Sequence, residues 1–190
     1  MKKKSRGRPR DPVKDSIIIS EILNQLLSRG YTALTISDVA TESGVSKATI
    51  YRRWNSKSSL VVDALKSLPG LQVPSTGRLK SDIKHLVTQV IAVNSKTNLF
   101  AVLQILTGEM FNNKKLEKVM HPYLNDRMTP VKSIIQEAIE RGEISKKTNI
   151  EASIYAVIGP LIAMSFFKQN TINESLIRPL TELIYRGLQK

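Results

Sequence analysis

Between Ser46 and Lys57 the chain sets Ser46, Lys47, Thr49, Tyr51, Arg52, Arg53 and Lys57 in one short stretch that contains no acid. The hydroxyls of Ser46, Thr49 and Tyr51 suit phosphate oxygens, and a helix N-terminus adds free N–H groups to the same task. Lys47, Thr49 or Arg52 can reach base edges in a major groove, where the Ala48 methyl can meet a thymine methyl. Lys57, opening a following helix, suits a backbone phosphate. Trp54 reads as core. This is the chemistry of nucleic-acid contact. The groups that reaction chemistry would need are absent: there are no cysteines, only two histidines (His85 and His121), no Gly-rich phosphate loop and no metal-ligand spacing. Glu137, Glu140 and Arg141, with Lys132 nearby, read as a solvated face with ion pairs. An enzyme, a metal site and a cofactor are therefore not expected. The whole-chain balance of 29 Lys and Arg against 16 Asp and Glu, a formal charge of +13, also calls for an anionic partner.

Those side chains need two short helices crossing closely. Thr35-Ile36-Ser37-Asp38 has the spacing of a capping box, opening a helix that ends near Ser43. Gly44-Val45 makes the turn, and Ser46 caps a second helix running to about Trp54. Ala40 leaves room for the crossing, Gly44 supplies positive φ, and Val39, Val45 and Ile50 plug the space between. Upstream, Asp11-Pro12 starts a helix whose stripe is Ile18, Ile22 and Leu26 with Ile19 and Leu23, and Gly30 stops it. Ser56 caps a fourth helix, Lys57 to about Leu68.

The Pro- and Gly-rich segment Leu68–Gly77 reads as a linker. Beyond it the period predicts helices near 78–95, 97–111, 114–141, 147–168 and 173–188, with Pro122 and Pro130 interrupting or kinking the third. No segment alternates with period two. The expected fold is all-α, about nine helices. A basic tail (1–10) precedes a helix-turn-helix domain (11–68) and a larger helical domain (78–190). The apolar run Ala152–Phe167 spans 16 residues, short of the roughly 20 that cross a bilayer. No apolar run follows the basic N-terminus, so a cytoplasmic protein without membrane partners is expected.

The run from Ile36 to Leu60 closely resembles the DNA-binding region of TetR/AcrR-family transcriptional regulators. Gly30-Tyr31-Thr32-Ala33-Leu34-Thr35 matches the same family, as do Gly159-Pro160-Leu161 and Ile184-Tyr185-Arg186-Gly187-Leu188. The resemblance implies a homodimer that binds a palindromic operator on double-stranded DNA, usually as a repressor, and is released by a small-molecule effector in the C-terminal domain. It assigns DNA contacts to Thr35, Lys47, Thr49, Tyr51 and Lys57, with Ala48 and Arg52 nearby. Ser59 departs from the pattern, since family members often carry an acid there that completes a cap.

The physics of readout agrees with a dimer, because one recognition helix reads only a few base pairs and two half-sites need two-fold symmetry. The charge-free face of Ala152–Phe167, with Leu176, Leu180, Leu183, Ile184 and Leu188, can build a four-helix interface between two copies. The competing reading makes both helices core. Polar and soft side chains among apolar ones nominate His85, Gln89, Gln104, Phe111, Met120, Tyr123, Met128, Tyr155 and Met164 for an effector pocket. In the tail, Arg6-Gly7-Arg8-Pro9 has the composition of a minor-groove hook, with Arg6 and Arg8 as its contacts. Its competing reading is general phosphate attraction. Two other functions remain open on sequence: an architectural DNA binder without an effector, and a basic membrane-surface protein.

Overall fold

The computed structural model describes residues 12–167 and 174–189, and divides the chain into two compact units that meet in sequence between Ser67 and Leu68. Among the described residues there are nine α-helices and no strand.

The first unit holds α1 (Pro12–Ala33), α2 (Ile36–Ser43), α3 (Lys47–Tyr51) and α4 (Lys57–Ser67). Ile18, Ile22 and Leu26, four residues apart on α1, are fully buried together with Val39, Ile50, Leu60 and Leu65. Gly30 interrupts α1 as its type suggests, at φ 77° and ψ 175°, but one further helical turn follows to Ala33. Pro12 is the first helical residue, and Asp11, expected to cap it, lies outside the described residues. Ser56 and Ser59 cap α4 reciprocally. Each hydroxyl accepts from the other's backbone N–H, at 3.1 and 3.2 Å. Ser59 thus completes the cap with its own hydroxyl.

The second unit holds an extended strap over residues 68–77, then α5 (Leu79–Thr97), α6 (Leu99–Met110), α7 (Lys114–Glu140), α8 (Ile150–Phe167) and α9 (Ile177–Leu188), the last preceded by a single 3₁₀ turn, Glu174–Leu176. α5 packs on α9 and α7, and α8 on α7 and α9, around Leu79, Ile83, Ile135, Val157, Leu161 and Ile184. α7 continues through Pro122 and Pro130, so of the expected interruption or kink the interruption does not occur. α8 starts three residues later than expected because Asn149 caps it, its Oδ1 accepting from Ala152 N at 2.9 Å.

The strap is not a free linker. Leu71 and Val73 pack on the core of the second unit. Gln72 is held by both ends of the Gln89 amide. At the far end the buried carboxylate of Asp82 accepts from Thr76 N at 2.8 Å and Thr76 Oγ1 at 2.6 Å, and Ser75 bonds to Glu137. Arg141 bridges Asp82, Glu137 and Glu143.

Candidate nucleic-acid interface and apolar cavity

The crossing of α2 and α3 is fixed by caps. Thr35 Oγ1 accepts from Asp38 N at 3.1 Å and donates to Asp38 Oδ2 at 2.7 Å. Gly44 ends α2 in the left-handed region (φ 66°, ψ 17°), and the next N–H, of Val45, reaches Ala40 O at 3.1 Å. Ser46 Oγ then accepts from Thr49 N at 3.3 Å and lies 2.9 Å from Thr49 Oγ1. α3 has only five residues and buries only Ile50. Its turn carries on through Trp54, whose N–H reaches Ile50 O at 3.0 Å.

With Ile50 pinned inward, Ser46, Lys47, Ala48, Tyr51 and Arg52 are all exposed, and Thr49 is half-buried. Tyr51 shows 55% of its surface although it is aromatic. A large ring left in water beside two cations and a methyl forms a surface that suits a groove. Trp54 is buried, its indole N–H donating to Asp63 at 2.8 Å.

Two basic residues depart from the sequence reading. Arg53, part of the acid-free stretch read as nucleic-acid chemistry, turns inward and pairs with Asp15 of α1. Lys57, expected at a phosphate, gives its ammonium to the carbonyls of Tyr31, Thr32 and Leu34, at 2.8, 3.3 and 3.0 Å. It closes the end of α1, where unpaired carbonyls gather negative potential. Arg6 and Arg8 lie outside the described residues.

The second unit holds a partly open cavity of about 120 Å³ between the strap, α5, α6, α7 and α8. Leucine, valine, isoleucine and phenylalanine make most of its wall, with Tyr123, Met128 and Arg127 from α7. Of the nominated pocket residues, only Tyr123 and Met128 line it. His85 is exposed, its ring 3.0 Å from Ser81 O. Gln89 is spent on the strap. Phe111 and Tyr155 point to solvent, 81% and 62% exposed. Met120 is fully buried, yet neither it nor Gln104 nor Met164 reaches the wall.

Arg127 was not nominated at all. Its Nε donates to Tyr123 Oη at 2.9 Å, and its terminal nitrogens to Pro69 O at 2.6 Å and Leu68 O at 3.4 Å. The signal was available, since Tyr123, Arg127 and Val131 recur every fourth residue on one face of α7. Burial pushes the Tyr123 phenol above its ordinary value, with Arg127 acting in the opposite direction.

On the outer side, α8 buries Ser153, Val157 and Leu161 and exposes Ala152, Tyr155, Ala156, Ile162 and Ala163. On α9, Leu180, Ile184 and Leu188 belong to the chain's own core, contrary to the interface expected of them, and Leu183 stays 64% exposed. Among the described residues no single helix is long and apolar enough to cross a membrane.

Comparison with known proteins places both units. Residues 18–64 match the family model for bacterial regulatory proteins of the tetR family, and residues 73–184 match the tetracyclin repressor-like C-terminal domain. The chain is 28% identical over 186 residues to the uncharacterized HTH-type transcriptional regulator YdeS of Bacillus subtilis (strain 168), covering 97% of this chain and 94% of that protein. It is 29% identical over 185 residues to the similar regulator Rv1556 of Mycobacterium tuberculosis, covering 92% and 89%. Its fold resembles that of the fatty acid degradation regulator FadR from Bacillus halodurans, at 18% identity and TM-score 0.76 over 96% of this chain and all of that one. It also resembles the transcriptional regulator FadR from Bacillus subtilis in complex with stearoyl-CoA, at 16% identity and TM-score 0.72 over 92% and 99%. The helix-turn-helix of α2 and α3, the all-helical second unit and both matches lead to one assignment: the chain belongs to the TetR family of DNA-binding transcriptional regulators and is not an enzyme.

Proposed function

We propose that the chain is an effector-responsive repressor that binds a two-fold operator as a homodimer in the cytoplasm. The observation that carries the reading is the exposed cluster of Lys47, Ala48, Tyr51 and Arg52 over the single buried anchor Ile50. Lys47 and Arg52 reach base edges or phosphates, Tyr51 and Thr49 give hydroxyls to the backbone, and Ala48 touches thymine. Thr35 and Ser46, already engaged as caps, set the angle of entry and meet phosphates from the flank. Arg6 and Arg8 of the tail reach the adjacent minor groove.

A reading head this small needs a second copy about 34–36 Å away along the DNA. The exposed apolar residues Tyr155 and Ile162 on α8 and Leu183 on α9 support pairing through those helices. The apolar cavity supports an apolar effector, and the likeness in fold to a regulator solved with stearoyl-CoA accords with that.

The test is footprinting on DNA flanking the protein's own coding region, with Lys47→Ala and Tyr51→Ala. Both variants lose specific protection while keeping the melting temperature. Protection by both overturns the assignment of α3. Light scattering checks the dimer: the expected mass is twice the 21.3 kDa chain.

A further inference from the structure

We propose that Arg127 is the receptor for the acid group of a compact apolar carboxylate, and that the acid takes the guanidinium away from the strap. This rests on the reading of the cavity as an effector site and gives that effector a chemical class.

Arg127 is the only charged residue on the cavity wall among the described residues. Its partners are all neutral: the Tyr123 hydroxyl and the carbonyls of Leu68 and Pro69. Among the described residues no carboxylate pairs with it. Half-buried beside apolar walls, this cation has only neutral dipoles and water for partners, which leaves its fork open to an anion. A carboxylate fits its fork with two parallel, charge-assisted bonds that no pair of carbonyls equals. Tyr123 occupies Nε and can stay bound, which keeps the planar group aimed while its terminal nitrogens change partner.

Those terminal nitrogens are the tie on the strap where it follows α4, and Leu71 of the strap is itself part of the cavity wall. The same atoms therefore serve the strap and the acid in turn. An acid that captures them releases Leu68 and Pro69 and leaves the Gln72–Gln89 clasp as the nearest remaining tie, which loosens under the freed segment, while the far end stays fastened at Thr76 by Asp82. A cavity of about 120 Å³ is close to the roughly 150 Å³ apolar cavity known to admit benzene, so the apolar part is a single ring or a short chain.

Calorimetry on the full chain at fixed ionic strength compares benzoate with benzyl alcohol and hexanoate with hexan-1-ol. Each acid binds about tenfold more tightly than its alcohol. Arg127→Met loses that preference and keeps the alcohol affinity, and Arg127→Lys, a charge without a fork, falls between. Equal affinities in the unaltered chain overturn the proposal and leave the apolar-effector reading standing. A preference that survives in Arg127→Met also overturns it, since the net positive charge then explains the attraction. Failure of all four probes to bind overturns both. Hydrogen exchange on the unaltered chain tests the release without a variant. With benzoate bound, the Gln72 amide exchanges faster and the Thr76 amide does not change, whereas benzyl alcohol leaves both unchanged. An unchanged Gln72 amide under saturating benzoate overturns the release.

Discussion

The ammonium of Lys57 lies 2.8 Å from the carbonyl oxygen of Tyr31 and 4.3 Å from the centre of the Tyr31 ring. The ring's own hydroxyl meets Ser58 Oγ at 2.7 Å in the buried interior. Two adjacent residues at the start of α4 thus grip one residue of the last turn of α1, Lys57 over the ring face and Ser58 at its hydroxyl. The helix-turn-helix lies between these two points in the chain, so the grip sets the base on which α2 and α3 stand.

Lys57→Met keeps the stem and removes the cation. The expected loss is about 1–2 kcal/mol of stability, from hydrogen bonds of a charged donor and its contact with the ring. Denaturant melting measures it. The salt dependence of DNA binding changes less than in Lys47→Met, because Lys57 already serves the protein's own carbonyls.

Arg52 and Arg53 are neighbours in sequence with opposite tasks. Arg52→Ala lowers the slope of log K against log salt by about one on duplex DNA of any sequence. Arg53→Ala leaves the slope unchanged and lowers the melting temperature, because it strips Asp15 of its partner. A reduced slope in Arg53→Ala would show that it touches phosphate.

Gly30 and Gly44 both have positive φ, and neither has an atom within 4 Å of where a Cβ would sit. Backbone strain alone decides their substitution. Gly44 lies in the left-handed region that asparagine tolerates, so Gly44→Asn costs about 1 kcal/mol or less. Gly30, at φ 77° and ψ 175°, occupies a region that is essentially glycine's own, and Gly30→Asn costs about 2–3 kcal/mol. Equal melting temperatures for the two variants would refute this ordering.

Tyr123 gives an alkaline signature. Its folded value is raised above 10.0 by burial, so the folded state holds the phenolic proton more tightly than the unfolded chain. The stability this gives is complete below the unfolded value and is lost as pH rises through the folded one. Tyr123→Phe flattens that alkaline loss in melting experiments. Arg127→Met moves the phenol further up, since the guanidinium opposes the effect of burial.

The helices were legible because their ends are written in local chemistry. Thr35, Ser46, Ser56 and Gly44 act at the positions where their types predict. The exposed face of α3 was legible for a related reason: once Ile50 is inward, helical phase sends Lys47, Ala48, Tyr51 and Arg52 outward. What failed were judgements on side-chain type alone. Lys57 looked like a phosphate ligand and Arg53 like part of the outer face, but a sequence does not show that carbonyls or a carboxylate twenty-three or more positions away will claim them. The cavity was misjudged for the opposite reason. Polar and soft residues were nominated, whereas the wall is built of ordinary aliphatic residues that only the packing of four helices and the strap brings together. The α9 leucines show the same limit, since a single amphipathic helix does not reveal which of its apolar positions its own chain will cover.

α3 gives the interior one side chain, Ile50, and takes its caps from Ser46 and the turn before it. The scaffold therefore asks nothing of Lys47, Ala48, Tyr51 or Arg52. Under the function proposed above, those four positions vary as letters in a text, and a lineage changes the DNA sequence it recognises without renegotiating how it folds.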